Sequence, residues 1–360
     1  MTKVRYTITI HTARTDNRTY SKADLDYHNR PAAAPYDSAS FLNQKIIINA
    51  ERNSKRLKID DILEYKQSTL YTQIFKSILF LYLWKGKRVK IRSIEVCTPH
   101  KNEKRDLNKN GQPLSADFQI SQTIPPAVLE KIWEESAQGE NIRTIMTHFL
   151  RGLSSKDRYF RFERYWRAFE QAAYWREYHG PFPKSPDSTE AMKKMRSYFR
   201  TRPAALNDTF RYIGTLSSRK IAKLHWRRFI DYSFPYSGDV AQLNMLINHF
   251  ISSNQDCRLC RVYSKARDMR ENGLNTHHLF ATADSIIQSY RAGRLVNNDH
   301  VLCMLLCKYG FFMRNKMFHG QEADFTFCFT NHTEDDDITD FMNIVLEKTV
   351  TGLLIDYVNL

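Results

Sequence analysis

The feature that most constrains this chain is a change of period near Pro125. Before it, short stretches alternate apolar and polar residues: RYTITIHT near the start, KIIINA after Gln44, and KGKRVKIRSIEV after Trp84. Side chains that change face at every step suit strands with one buried side. After it, alternation nearly vanishes and apolar residues recur every three or four positions, the pattern of a helix with one buried stripe. A chain that changes period once is expected to segregate its strands from its helices. The expected fold is α+β, with an N-terminal mixed α/β domain over residues 1–120 and an all-helical domain over residues 121–360. A length of 360 residues suits two domains.

Within the first part, a helix is expected over about Ile59–Trp84, closed by a turn at Gly86. The segment TPHKNEKRDLNKNGQPLSAD is polar and turn-rich, so it reads as a loop or linker at the domain boundary. Helices are expected in PPAVLEKIWEES, in IRTIMTHFLRGL up to Gly152, and in KDRYFRFERYWRAFEQAAYWREYHG up to Gly180 and Pro181. Further helices are expected over about 188–213, 217–230, 239–253, 258–271 and 276–292, with glycines at several ends as helix stops. An apolar helix, DHVLCMLLCKYGFFMRNKMFH, follows Asn297 and Asn298 and stops at Gly320. A short strand-like ADFTFCFT then leads into a last helix whose acidic start, EDDD, complements the helix dipole.

No apolar run reaches the length of a membrane span, since Leu70–Trp84 is interrupted by Lys76. The N-terminus lacks the apolar block of a secretory signal, and the expected location is the cytoplasm. Six cysteines are too sparse for a disulfide scaffold; Cys303 and Cys307, four residues apart, read as core. The net charge of +15 is uneven: residues 1–125 carry 22 Lys/Arg against 12 Asp/Glu, residues 126–320 carry 31 against 18, and residues 321–360 carry 1 against 9. A positive field of this size draws polyanions, which makes nucleic acid the expected partner. Solubility is the simpler use of the same charge.

In the long helix over 156–178, Tyr159, Phe162, Trp166, Phe169 and Ala173 form a core stripe. Arg158, Arg161, Arg164 and Arg167 are candidates for RNA phosphate contact, although steps of three drift by about −60° each around a helix. Salt bridges to Glu163 and Glu170 are the alternative. Cys257-x-x-Cys260 with His277 and His278 has zinc-ligand residue types, but adjacent histidines on a helix point about 100° apart, and no metal site is assigned. His225-x-x-Arg228 matches tyrosine recombinases on too few positions to carry weight. No glycine-rich phosphate loop is present, and no cofactor is expected.

Spacings of arginine and histidine that fit R-x(4–6)-H occur at Arg5/His11, Arg143/His148, Arg219/His225, Arg270/His277 and Arg294/His300. One pair has more context. In RNKMFHG, Arg314 is followed at once by Asn315, and His319 by Gly320, at the end of an apolar helix with one helix still to come. This stretch resembles the signature of the HEPN superfamily, all-helical domains whose ribonuclease members carry R-x(4–6)-H, often as R-N-x-x-x-H. The resemblance implies an all-helical HEPN-like domain, a pairing of two copies so that both motifs line one cleft, and a toxin-like or antiviral-defence role. A non-catalytic RNA-binding or scaffold protein of the same type is the alternative.

The chemistry suits the residue types. RNA is cut without a metal when its own 2′-OH attacks the adjacent phosphorus, which requires a proton carrier and a cation for the phosphoryl charge. His319 serves as the acid/base group and Arg314 as the phosphate-binding cation, with Asn315 orienting either the phosphate or the imidazole. Lys316 is a further RNA contact, and Glu170 a supporting polar residue. Residues five apart on a regular helix lie about 140° apart and about 7.5 Å along the axis. A homodimer with a composite site, or unwinding at His319-Gly320, would overcome that separation. The expectation is a metal-independent endoribonuclease that leaves 2′,3′-cyclic phosphates and 5′-hydroxyls, restrained by a regulatory protein partner or antitoxin. Residues 1–120 would select substrate or regulate.

Overall fold

The computed structural model describes residues 3–53, 57–177, 195, 197–235, 239–271, 281–318 and 334–359. The expected ADFTFCFT strand, His277, His278, His319, Gly320 and Cys328 lie outside them. The fold is α+β, with an N-terminal antiparallel sheet and helices after it. The chain divides into two compact units, one made of Met1–Trp175 with Leu353–Leu360, the other of Arg176–Gly352.

The first unit is built on a six-stranded sheet: β1 (Lys3–Thr12), β2 (Tyr20–Leu25), β3 (Asp37–Phe41), β4 (Lys45–Asn53), β5 (Ile91–Thr98) and β6 (Lys101–Asp106), in the order β2-β3-β4-β1-β5-β6 with every pair antiparallel. The alternation seen in the sequence sets the register. Tyr6, Ile8 and Ile10 pair with Ala50, Ile48 and Ile46, and Ile8 and Ile10 pair on the other side with Val96 and Ile94, so the middle of one face is apolar. A register slip of one residue would turn that whole set to water.

Two helices stand where one long helix was expected. α1 (Ile59–Glu64) ends at Tyr65, and α2 (Thr69–Lys85) restarts after Ser68 and closes at Gly86, whose left-handed φ of 65° lets its N–H reach the Leu83 carbonyl. α2 is buried nearly all round, because it lies between sheet and helices. Phe80 meets Phe41 of the sheet at 4.8 Å and Trp133 of the later helices at 4.7 Å, and those two rings are themselves 6.0 Å apart. Trp133 belongs to a 3-10 turn (Lys131–Trp133) that follows α3 (Pro126–Glu130) and precedes α4 (Ala137–Leu153). The boundary expected near residue 120 therefore falls inside this unit: without those later helices, α2 would leave an apolar face in water.

α4 starts at Ser136, whose side chain accepts from the Gly139 N–H, and α5 (Arg158–Glu177) at Asp157, whose Oδ1 accepts from the N–H groups of Tyr159 and Phe160. The expected stripe of Phe162, Trp166, Phe169 and Ala173 is buried, with Tyr165 beside it and Tyr159 half-buried. The segment read as a linker contains β6 as the polar edge of the sheet.

The second unit is helical among its described residues: α6 (Asn207–Gly214), α7 (Ser218–Ala222), α8 (Trp226–Ser233), α9 (Val240–Ser253), α10 (Cys260–Glu271), α11 (Ala281–Ala292), α12 (Asn298–Cys303), α13 (Phe311–Phe318) and most of α14 (Glu334–Ile355). Arg258 and Asp256, both buried, form its polar centre: the guanidinium holds both Asp256 oxygens, at 2.9 and 2.7 Å, and also donates to the Ile213 carbonyl and Asn298. Each charge is matched, as a buried pair requires.

Candidate active site

The motif-bearing helix is not a plain α-helix. Between α12 and α13, Met304–Gly310 winds as a π-helix, a form usually confined to single turns and frequent at functional sites. The segment is embedded in apolar packing. Tyr309 meets Trp226 at 5.0 Å and Phe312 at 5.8 Å, Phe312 meets Phe229 at 5.8 Å, and Met304, Leu305, Leu306, Tyr309 and Phe312 are all buried. Tyr309 also accepts, through its hydroxyl, from the His225 N–H at 3.2 Å, which ties the π segment to the start of α8.

One turn later the polar residues begin. Arg314, Asn315 and Lys316 are half-buried on α13. The Arg314 Nη1 donates to Asn315 Oδ1 at 2.9 Å, and the Asn315 Nδ2 donates to the Tyr232 hydroxyl at 2.6 Å. Asn315 thus links the arginine to Tyr232. Tyr232, 40 % exposed and packed on Phe312 at 5.4 Å, anchors the chain from α8. Sequence reasoning missed Tyr232. Its only signal was its place six residues after Trp226 in an aromatic helix, which says nothing of a hydrogen bond to Asn315.

The other R-x-H pairs differ. Arg143 is spent on the carbonyls of Ile132 and Glu134, His11 pairs with Glu95 at 3.1 Å, and His300 is buried with Nδ1 accepting from the Gln255 N–H. Cys260 is buried and Cys257 half-buried, and among the described residues no group of His, Cys, Asp and Glu could hold a metal. Also among the described residues, no helix is long and apolar enough to cross a membrane.

The four arginines of α5 and Glu170 lie in the first unit. They do not form one rail. Arg158 is half-buried, Arg161 donates to the Ser155 carbonyl at 2.5 Å, and Arg167 pairs with Glu163 at 2.9 Å. Arg164 lies over the Phe160 ring at 4.5 Å, with Nη1 3.5 Å from His148 Nδ1. Glu170 is half-buried. His148 was passed over in the sequence as half of a chance pattern. Burial, and then the charges of Arg164, Arg167 and Arg151, hold its pKa below the ordinary imidazole value, so it is neutral at pH 7.

No family model, curated protein or solved structure matches the chain.

Proposed function

We propose that the chain is a metal-independent endoribonuclease of HEPN type, acting through Arg314 and His319. The observation that carries this reading is the hydrogen-bonded series Arg314–Asn315–Tyr232, which fixes a guanidinium at the end of an apolar helix five residues before a histidine. A fixed planar cation suits the oxygens of a phosphodiester, whose charge grows as the 2′-oxygen attacks.

In the proposed reaction the 2′-OH gives its proton to a neutral imidazole as the 2′-oxygen bonds to phosphorus. The bond from phosphorus to the 5′-oxygen then breaks, and the leaving oxygen takes a proton from an imidazolium. Two copies of the motif in a homodimer supply both histidines and two arginines. The positive charge of residues 1–320 favours RNA as the partner, and a cytoplasmic, toxin-like or defence role follows from the resemblance. The test is incubation of wild-type and His319→Ala protein with cellular RNA in EDTA, followed by end-group analysis. Cleavage by wild type alone, with cyclic phosphate ends, supports the enzyme; binding without cleavage favours the RNA-binding or scaffold reading.

A further inference from the structure

We propose that the face shared by α4 and α5 in the first unit is a docking surface for single-stranded RNA, with His148, Arg151, Arg164 and Arg167 around the phosphates and Phe160 against a base. The identity of the polyanion rests on the ribonuclease reading, but the surface is built independently of Arg314 and His319.

Helix geometry assembles it. Phe160, Glu163, Arg164 and Arg167 fall at i, i+3, i+4 and i+7 on one face of α5, and His148 and Arg151 at i and i+3 on one face of α4. The helices meet closely because Gly152 has no Cβ: one placed there would lie 2.5 Å from Tyr165 Cδ1. Tyr165 packs on Phe149 at 5.7 Å, and their chain neighbours Arg164 and His148 meet beside this contact.

The cluster has three guanidinium groups and one carboxylate, Glu163, around the imidazole. The other charged groups packed on α4, Arg143 with Lys76 and Glu135, form a separate cluster beside the Lys131–Trp133 turn. Like charges held together repel, and a phosphate relieves that repulsion. Arg151 and Arg167 are exposed, and Phe160 is 37 % exposed with the Arg164 guanidinium over its ring. An exposed ring among cations is the combination that holds single strands: bases stack while guanidiniums track phosphates. A duplex offers no unstacked base to Phe160.

The cluster also links binding to protons. Burial and then its cations hold the pKa of the free imidazole down, whereas an anion among them favours the imidazolium. Binding therefore takes up a proton between the free and bound pKa values, and affinity rises as pH falls through that window.

The experiment is fluorescence anisotropy of the full-length protein with a single-stranded 2′-O-methyl RNA of about 12 nucleotides, which lacks the attacking hydroxyl and so reports binding whether or not the protein cuts RNA. The Arg151→Ala/Arg164→Ala protein is expected to lower the slope of log affinity against log salt by about 1.4, at about 0.7 per phosphate contact. Phe160→Ala is expected to weaken binding by about fivefold or more, and Arg164→Lys to retain the slope but lose part of the affinity. In His148→Gln, the gain in affinity between about pH 8 and about pH 5 is expected to be smaller than in wild type. Circular dichroism checks that each variant is folded. Folded variants that bind with the wild-type slope, affinity and pH response would overturn the proposal, as would equal Phe160→Ala losses for duplex and single strand.

Discussion

Gly152→Ala tests the close crossing of α4 and α5. In an exposed helix this substitution stabilises by about 1 kcal/mol, because alanine loses less backbone freedom than glycine. Here the new methyl group would meet Tyr165 Cδ1 at 2.5 Å and Cε1 at 2.6 Å, whereas carbon atoms pack at about 3.5–4.0 Å. The ring must shift by about 1 Å, yet Tyr165 is 1 % exposed and packed on Phe149, so it cannot swing into solvent. Overpacking of this kind costs about 1–3 kcal/mol, leaving a net loss of up to about 2 kcal/mol after the propensity gain. At about 2–4 °C per kcal/mol for units of this size, the melting temperature should fall by up to about 8 °C by scanning calorimetry. Tyr165→Leu should be costly alone but coupled to Gly152→Ala, the double variant losing less than the two single losses together. A raised melting temperature in Gly152→Ala, the full propensity gain with no overpacking cost, would refute the crossing as described.

Three other outcomes are expected. Lys76 is buried against Glu135, and desolvation holds its pKa below the usual lysine value despite that partner; the unfolded chain thus binds more protons from the folded pKa up to about 10.4, and stability rises with pH across that window. Lys76→Met should be at least as stable as wild type by urea unfolding at neutral pH, with the difference narrowing as pH rises, and a strongly destabilised Met variant would count against the buried charge. Asp37→Ala strips the buried Arg52 of its bidentate partner at 2.7 and 2.6 Å and should cost about 3–5 kcal/mol in urea unfolding. Asn315→Ala should lower RNA cleavage by about tenfold to a hundredfold by removing the acceptor of the Arg314 Nη1 hydrogen bond, and Tyr232→Phe by a smaller factor; equal rates in Asn315→Ala and wild type would remove Asn315 from the site.

The sheet was legible where one face is buried and the other wet, as in β1 and β4, whose pairing follows from Ile8, Ile10, Ile46 and Ile48. It was illegible in β2, β3 and β6. Their sequences, YSKADL, DSASF and KNEKRD, are short or polar, and neighbouring strands rather than their own composition hold them in place. α2 was legible as a helix but not as the layer between sheet and later helices, because periodicity identifies a buried face without naming what covers it. Periodicity was equally silent on the π segment, because an apolar run such as MLLCKYG buries a face in either winding. Arg314 and Asn315 stood out by spacing and context. Tyr232 and His148 did not, since a hydrogen bond or a ring of charge between helices leaves no local pattern.

The ribonuclease reading turns on His319, and the most direct measurement is cleavage of total cellular RNA in EDTA by wild-type and His319→Ala protein, with the fragment ends identified. The account predicts fragments from wild type alone, bearing 2′,3′-cyclic phosphates and 5′-hydroxyls. Equal cleavage by both proteins, or cutting that EDTA abolishes, would contradict it.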